Sequence, residues 1–152
     1  MPIYMKVTKN GVPIINGDAA AQGHEKWIEL TSFQYALPRN PSPQAPDRSS
    51  EKRPATADAV LTKLMDSAST QLAHLAAVGS VSGTITVQVD FVKTVPFNIT
   101  AMTVTLQDVI ITSFSMSGGR AGGQPSEQFT LNYTKIAFDV NTTDPASNRP
   151  LP

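Results

Sequence analysis

The sequence predicts a mainly β domain: a compact antiparallel β-barrel or sandwich carrying one α-helix. Three observations predict it. Long runs after Gly79 alternate apolar and polar residues with a period of two. One stretch before Gly79 has helical spacing. Short turn signals separate the runs.

Ile3–Val7, "IYMKV", alternates and reads as a short strand, and Asn10-Gly11 marks a tight turn after it. "NGDAAAQGH" from Asn16 reads as a loop or a weak helical turn. Trp27–Leu37 mixes β-branched and aromatic residues and predicts a strand. In its second half Phe33, Tyr35 and Leu37 share one face, and Ser32, Gln34 and Ala36 the other.

Tyr35–Thr56 holds five prolines: Pro38, Pro41, Pro43, Pro46 and Pro54. Each removes a backbone donor and pushes the preceding residue towards extended geometry. Residues 37–56 are therefore expected to form an extended, semi-rigid loop, a length usually reserved for function or disorder. Ala57–Met65 fits two periods. Val60, Leu61 and Leu64 suit a helix; Ala59, Leu61, Lys63 and Met65 suit a strand. Asp66–Gly79 predicts the helix, with Ser67 or Ser69 as N-cap, a stripe of Leu72, Leu75 and Ala76, and Gly79 at C′.

Beyond Gly79, Ile85, Val87, Val89 and Phe91 oppose Thr84, Thr86, Gln88 and Asp90. Met102, Val104 and Leu106 oppose Thr103, Thr105 and Gln107, and the pattern runs on to Phe114 and Met116 with a bend expected near Asp108. Phe129, Leu131 and Tyr133 are in phase, then the phase slips to Ile136, Phe138 and Val140, which suggests a bulge at Thr134–Lys135. Residues 141–152 have no packing pattern and read as a flexible tail. One domain over 1–152 accounts for the chain.

Composition excludes several function classes. Lys+Arg and Asp+Glu number 12 each, and charged residues are 16% of the chain, too few and too balanced to grip nucleic acid. Cysteine is absent, which removes disulfides, thiolate metal sites and thiol nucleophiles. No apolar run approaches the ~20 residues of a membrane span, and no Sec-type signal pattern is visible.

The search for chemistry yields no active site. His24 and His74 are the only histidines, and His24-Glu25 has no second ligand at metal spacing. "GGRAGGQ", Gly118–Gln124, lacks the Gly-Lys-Ser/Thr ending of a phosphate loop and falls between strands, so a hairpin loop with Arg120 at its tip is expected. The carboxylates Asp58, Asp66, Asp90, Asp108, Glu127 and Asp139 are scattered singly, and no Gly-x-Ser-x-Gly elbow occurs. No catalytic residue, cofactor or metal is expected.

The order of these segments resembles a known family. "IYMKV", "GHEKWIELTSFQYAL", a long loop, "LTKLMDSASTQLAHL", "VTLQDVIITSFSMSGG" and "EQFTLNYTKIAFDV" follow one another as in the Hcp proteins, over about residues 3–140. These are the haemolysin-coregulated proteins of the type VI secretion system inner tube. The chain departs from the common pattern in its proline-rich loop and its tail. The resemblance implies a β-barrel flanked by one helix, assembling as a hexameric ring with a wide channel. It implies rings stacked inside a contractile sheath and expelled with a spike protein, with small effectors carried in the lumen. The implied partners are further copies of the chain, the spike, sheath and baseplate proteins and effector cargo; nucleic acid and membrane insertion are not implied. Assembly in the bacterial cytoplasm, then secretion without a Sec signal, is implied too.

By the same resemblance, the loop after the second strand projects along the tube axis. Arg39, Asp47, Arg48, Glu51, Lys52 and Arg53, clustered in a charge-poor chain, are then candidates for inter-ring contacts. Gln34 matches a position that presents a polar residue to the channel, or is an ordinary exposed glutamine. Thr84, Thr86, Thr103 and Thr105 read as ring surfaces or as plain solvated strand. Two other functions compete. A monomeric β-sandwich for carbohydrate binding or adhesion would display aromatic platforms, whereas aromatics are 7% of this chain, with one Trp. An enzyme of unknown type would need a catalytic constellation.

Overall fold

A computed structural model describes residues 1–35, 58–78, 84–93 and 99–141. The loop 37–56, the candidates Arg39, Asp47, Arg48, Glu51, Lys52 and Arg53, the C′ Gly79 and the tail beyond Asn141 lie outside the described residues.

Strand β1, Ile3–Lys9, turns at Asn10-Gly11 into β2, Val12–Ile15. Both turn residues have positive φ, 52° and 82°, as a tight hairpin requires, and Asn and Gly tolerate it best. The sequence carries no signal for β2, since "VPII" has no alternation. Next come β3, Ile28–Leu30, and β4, Ser32–Tyr35. The run Trp27–Leu37 is thus two strands rather than one, because the chain changes sheet at Thr31. The Thr31 N–H donates to the Thr62 carbonyl at 2.8 Å, which fixes the corner. β5, Asp58–Leu64, settles the helix-or-strand ambiguity as strand, with Ala59, Leu61 and Lys63 fully buried.

Helix α1, Ser69–Val78, buries Leu72 and packs Leu75 and Ala76 against the core, as the stripe predicted. Its cap differs from expectation. Asp66, not Ser67 or Ser69, is the N-cap: its Oδ1 accepts the Ala68 N–H at 2.9 Å, and Ser69 Oγ accepts the Asp66 N–H at 3.0 Å. This is a reciprocal capping box. Ser67 is turned outward and donates both its N–H and its hydroxyl to Asp18.

The remaining strands are β6, Ile85–Lys93; β7, Ile99–Gln107; β8, Ile110–Ser117; β9, Ser126–Asn132; and β10, Lys135–Val140. All pairings are antiparallel. One sheet has the order β10-β7-β6-β1-β2, with β3 on the same edge of β1 as β2; the other has the order β4-β5-β9-β8. The facing sides of the two sheets supply the core, including Met5, Ile28, Leu61, Val89, Leu106 and Phe129.

Two further corners carry the chain between sheets. At Asp108, with φ 55°, the bend expected there separates β7 from β8. At Tyr133–Thr134 the phase slip is a change of sheet and not a bulge. The Thr134 N–H donates to the Gln107 carbonyl at 3.0 Å and its hydroxyl to Asp108 Oδ2 at 2.7 Å, so the two corners brace each other. Bulges do occur, at Val7/Thr8, Phe91/Val92 and Ile111/Ser113.

Lys63 is a lysine with no exposed surface. Its Nζ lies 2.8 Å from Glu127 Oε2, directly opposite on β9, and 2.8 Å from Asp66 Oδ1. Ser69 Oγ accepts from Lys63 at 3.1 Å and donates to Glu127 Oε2 at 2.9 Å. A buried charge survives only when paired and hydrogen-bonded, so this cluster holds the start of α1 onto β5 and β9.

Two outcomes follow. Lys63→Met strands Glu127 and is expected to cost ~3–5 kcal/mol, while Lys63→Met with Glu127→Leu recovers most of it. Urea unfolding that finds the double variant as unstable as the single one contradicts this account. Ser67 holds the Asp18 carboxyl below its ordinary pKa, chiefly through the hydroxyl hydrogen bond and then through the N–H. A depressed carboxyl pKa stabilises the fold above the unfolded value, and that contribution is lost as pH falls through the folded one, below about pH 4. Ser67→Ala is expected to raise the Asp18 pKa in an NMR titration; an unchanged titration refutes the link.

Candidate functional site

The outward side of the β4-β5-β9-β8 sheet is set by strand parity. Ala59, Leu61, Phe129 and Leu131 point inward, so their neighbours point out. Gln34 pairs with Val60, Val60 with Thr130 and Thr130 with Ser113. The next row is Ser32, Thr62, Gln128 and Ser115. Hydroxyls and amides dominate, and Asp58, tied to Asn132 at 3.2 Å, is the one charged side chain on these strands' outward side. Gln34, the sequence-predicted lumen residue, is exposed at the centre of its short strand.

The outward side of the other sheet is different. A loop over residues 16–27 folds back across it. Gly17 is needed there, because a Cβ would overlap the Trp27 carbonyl oxygen. His24 is buried, and its Nε2–H donates to Asp90 Oδ2 at 2.8 Å. Tyr4 stacks on its ring at 5.0 Å and Trp27 meets it edge-on at 4.6 Å. Asp90 also accepts from Thr103 at 2.9 Å and Gln88 at 3.1 Å. This arrangement clamps a loop to a sheet. Trp27 packs on His24 with Lys6 above its ring at 5.7 Å, so it is not presented as a sugar platform. Thr103, Thr86 and Thr105 lie half-buried on this side. His74 is exposed on α1. Among the described residues no three His, Cys, Asp or Glu side chains group to hold a metal ion, and no helix is long and apolar enough to cross a membrane.

Two flanks complete the surface. On one, edge strands β4 and β10 meet through Tyr35 and Phe138, ring centroids 5.2 Å apart. Phe33 bridges Tyr35 to Phe91 in the interior. Phe138 is 43% and Val140 63% exposed there. On the other, α1 lies between edge strands β2 and β8, with an open groove of about 310 Å³ lined by Ile14, Ile15, Thr70, Gln71, His74 and Leu75. Val12, Val78 and Ile110 are exposed on that side. The sheet orders put these flanks at opposite ends of both sheets. Sequence reading assigned Phe138 and Val140 to an apolar strand face but did not see that β10 is an edge. The phase slip before it was the available signal.

The fold matches known proteins. Among solved structures the chain is similar to one described as a type six secretion system protein, at 18% identity and TM-score 0.76, covering 99% of this chain and 90% of that one. It is similar to a type VI secretion system effector from Yersinia pestis, at 22% identity and TM-score 0.66, covering 90% and 88%. It is also similar to Hcp1 from Salmonella typhimurium, at 16% identity and TM-score 0.69, covering 98% and 99%. No curated protein matches the chain. Residues 4–140 match the family model for the type VI secretion system effector Hcp. That match spans both sheets and the helix, and the chain belongs to the Hcp family of type VI secretion system proteins.

Proposed function

We propose that this chain is the tube subunit of a type VI secretion system, closing as a homohexameric ring whose rings stack. The observation that carries the reading is the pair of unlike flanks. Each exposes apolar side chains beside strand edges unpaired among the described residues, Phe138 and Val140 on one, Val12, Val78 and Ile110 on the other. Unlike surfaces at opposite ends favour a head-to-tail contact, which closes into a ring and protects both edges. A two-fold dimer would use one flank twice and leave the other open.

The neutral hydroxyl and amide side around Gln34 then lines the channel. Arg39, Asp47, Arg48, Glu51, Lys52 and Arg53 make the inter-ring contacts. The chain acts as a single domain over 1–152, and its role is mechanical and not catalytic. Spike, sheath and baseplate proteins and small effectors are its partners, and it assembles in the bacterial cytoplasm before export.

Gel filtration with mass measurement is expected to give six times the 16.2 kDa chain mass. Val140→Asp, at a site already 63% exposed, is expected to release folded monomer. A wild-type monomer at high micromolar concentration overturns the ring. Deleting Pro41–Arg53 is expected to leave rings and abolish tubes; normal tubes from that variant refute the arm's role.

A further inference from the structure

The sequence contains the dipeptide Asn-Gly twice, at Asn10-Gly11 and Asn16-Gly17. Local chemistry treats the two alike. In each, no Cβ hinders the glycine nitrogen from approaching the asparagine side-chain carbonyl carbon. The fold treats them oppositely.

Asn16-Gly17 is locked. The Gly17 N–H donates to the Lys26 carbonyl at 2.8 Å. Around it the Ala19 N–H donates to the Trp27 carbonyl at 3.0 Å, and the Lys26 N–H to the Ala19 carbonyl at 2.9 Å. Gly17 is buried, with no room even for a Cβ. Further along, His24 holds the loop to Asp90. The Gly17 nitrogen is freed only when this set breaks together.

Asn10-Gly11 is open. Both residues are exposed, and a Cβ on Gly11 would meet nothing within 4 Å. The Gly11 N–H has no partner among the described residues. Asn10 sits at φ 52°, a left-handed conformation that a residue with a side chain adopts at a cost. The hairpin beneath is weak. Strand β2 has four residues and pairs with β1 alone among the described strands, and Pro13 brings it no N–H. Opening this tip therefore costs little, and it lets Asn10 relax to extended geometry.

We propose that Asn10 is a site of spontaneous deamidation, and that the fold confines the reaction to this one of the two dipeptides. The Gly11 nitrogen bonds to Asn10 Cγ, the bond from Cγ to the amide nitrogen breaks, and ammonia leaves with the Gly11 proton. The five-membered imide so formed adds water at either carbonyl and opens to an aspartate or an isoaspartate. Water is the only co-reactant, and nothing is oxidised or reduced.

A neutral amide thus becomes a carboxylate at the tip of β2, beside the exposed Val12. An isoaspartate also lengthens the main chain by a methylene, which a two-residue turn cannot absorb and keep its register. On the ring reading above, on which this consequence alone rests, the change recurs at every head-to-tail junction, and aged rings come apart.

The test incubates wild-type chain and the Val140→Asp monomer in mildly alkaline buffer, with and without denaturing urea. Both asparagines fall in one tryptic peptide, between Lys9 and Lys26, so fragmentation in the mass spectrometer places the change. In native buffer Asn10 is expected to convert about tenfold faster than Asn16 or more, and in urea the two rates converge, because only folding tells them apart. Asn10→Gly keeps the turn chemistry and is expected to abolish the native mass gain. Equal native rates in both proteins, or a native mass gain in Asn10→Gly at the wild-type rate, overturn the proposal. Gel filtration of the aged samples is expected to show rings lost from wild type and kept by Asn10→Gly; equal loss from both refutes the consequence for assembly. A fresh wild-type chain that forms no rings sinks the ring reading and leaves the modification standing.

Discussion

The buried charge of Lys63 is the constraint around which one side of this domain is organised. A lysine on the inner side of a central strand is tolerated only if carboxylates meet it without water. Glu127 does so from the neighbouring strand and Asp66 from the helix cap, at 2.8 Å each. Ser69 joins all three. The position of α1 is therefore fixed by polar geometry as well as by Leu72. The linkage runs on: Ser67, the first residue past the cap, holds Asp18, and Asp18 lies in the loop that His24 clamps to Asp90 on the far sheet. The polar contacts at either end of that loop thus tie the helix start to both sheets.

This explains what could and could not be read from the residues alone. Alternation in Ile85–Phe91, Met102–Leu106 and Phe129–Tyr133 identified strands and their inner faces correctly, because burial of one side imposes a period of two. Alternation does not say which sheet a strand joins. The breaks at Thr31, Asp108 and Thr134 looked like a continuous strand, a bend and a bulge, yet each is a sheet change fixed by a hydrogen bond to a distant carbonyl. The Ala57–Met65 run fits two periods because Val60 and Leu64 are apolar as well as Ala59 and Leu61, and no local rule pairs Lys63 with Glu127 far along the chain. The side on which Gln34 stands followed from parity. That Phe138 and Val140 sit at an edge did not, since an edge is a property of the assembled sheet.

Those edges bear on self-association. An open strand with exposed Phe and Val beside it is an aggregation hazard in a chain with few charges. Natural edges are blunted by charge, proline or cover, and β10 supplies only Lys135 and Asp139. Membership of the Hcp family places this chain in a secretion machine, where a complementary surface on another copy is the economical form of cover. The groove between β2 and α1 has the apolar lining such a surface needs.

Tyr35 and Ala59 stand directly across a ladder from each other. The two stems of the intervening segment are therefore about one strand spacing apart, ~5 Å, whatever lies between them. Insertions, deletions or whole foreign loops can be spliced at this gate while the hairpin beneath keeps its register. Variation among related machines has a natural outlet here, and so does a designer who wants to display a peptide on a filament.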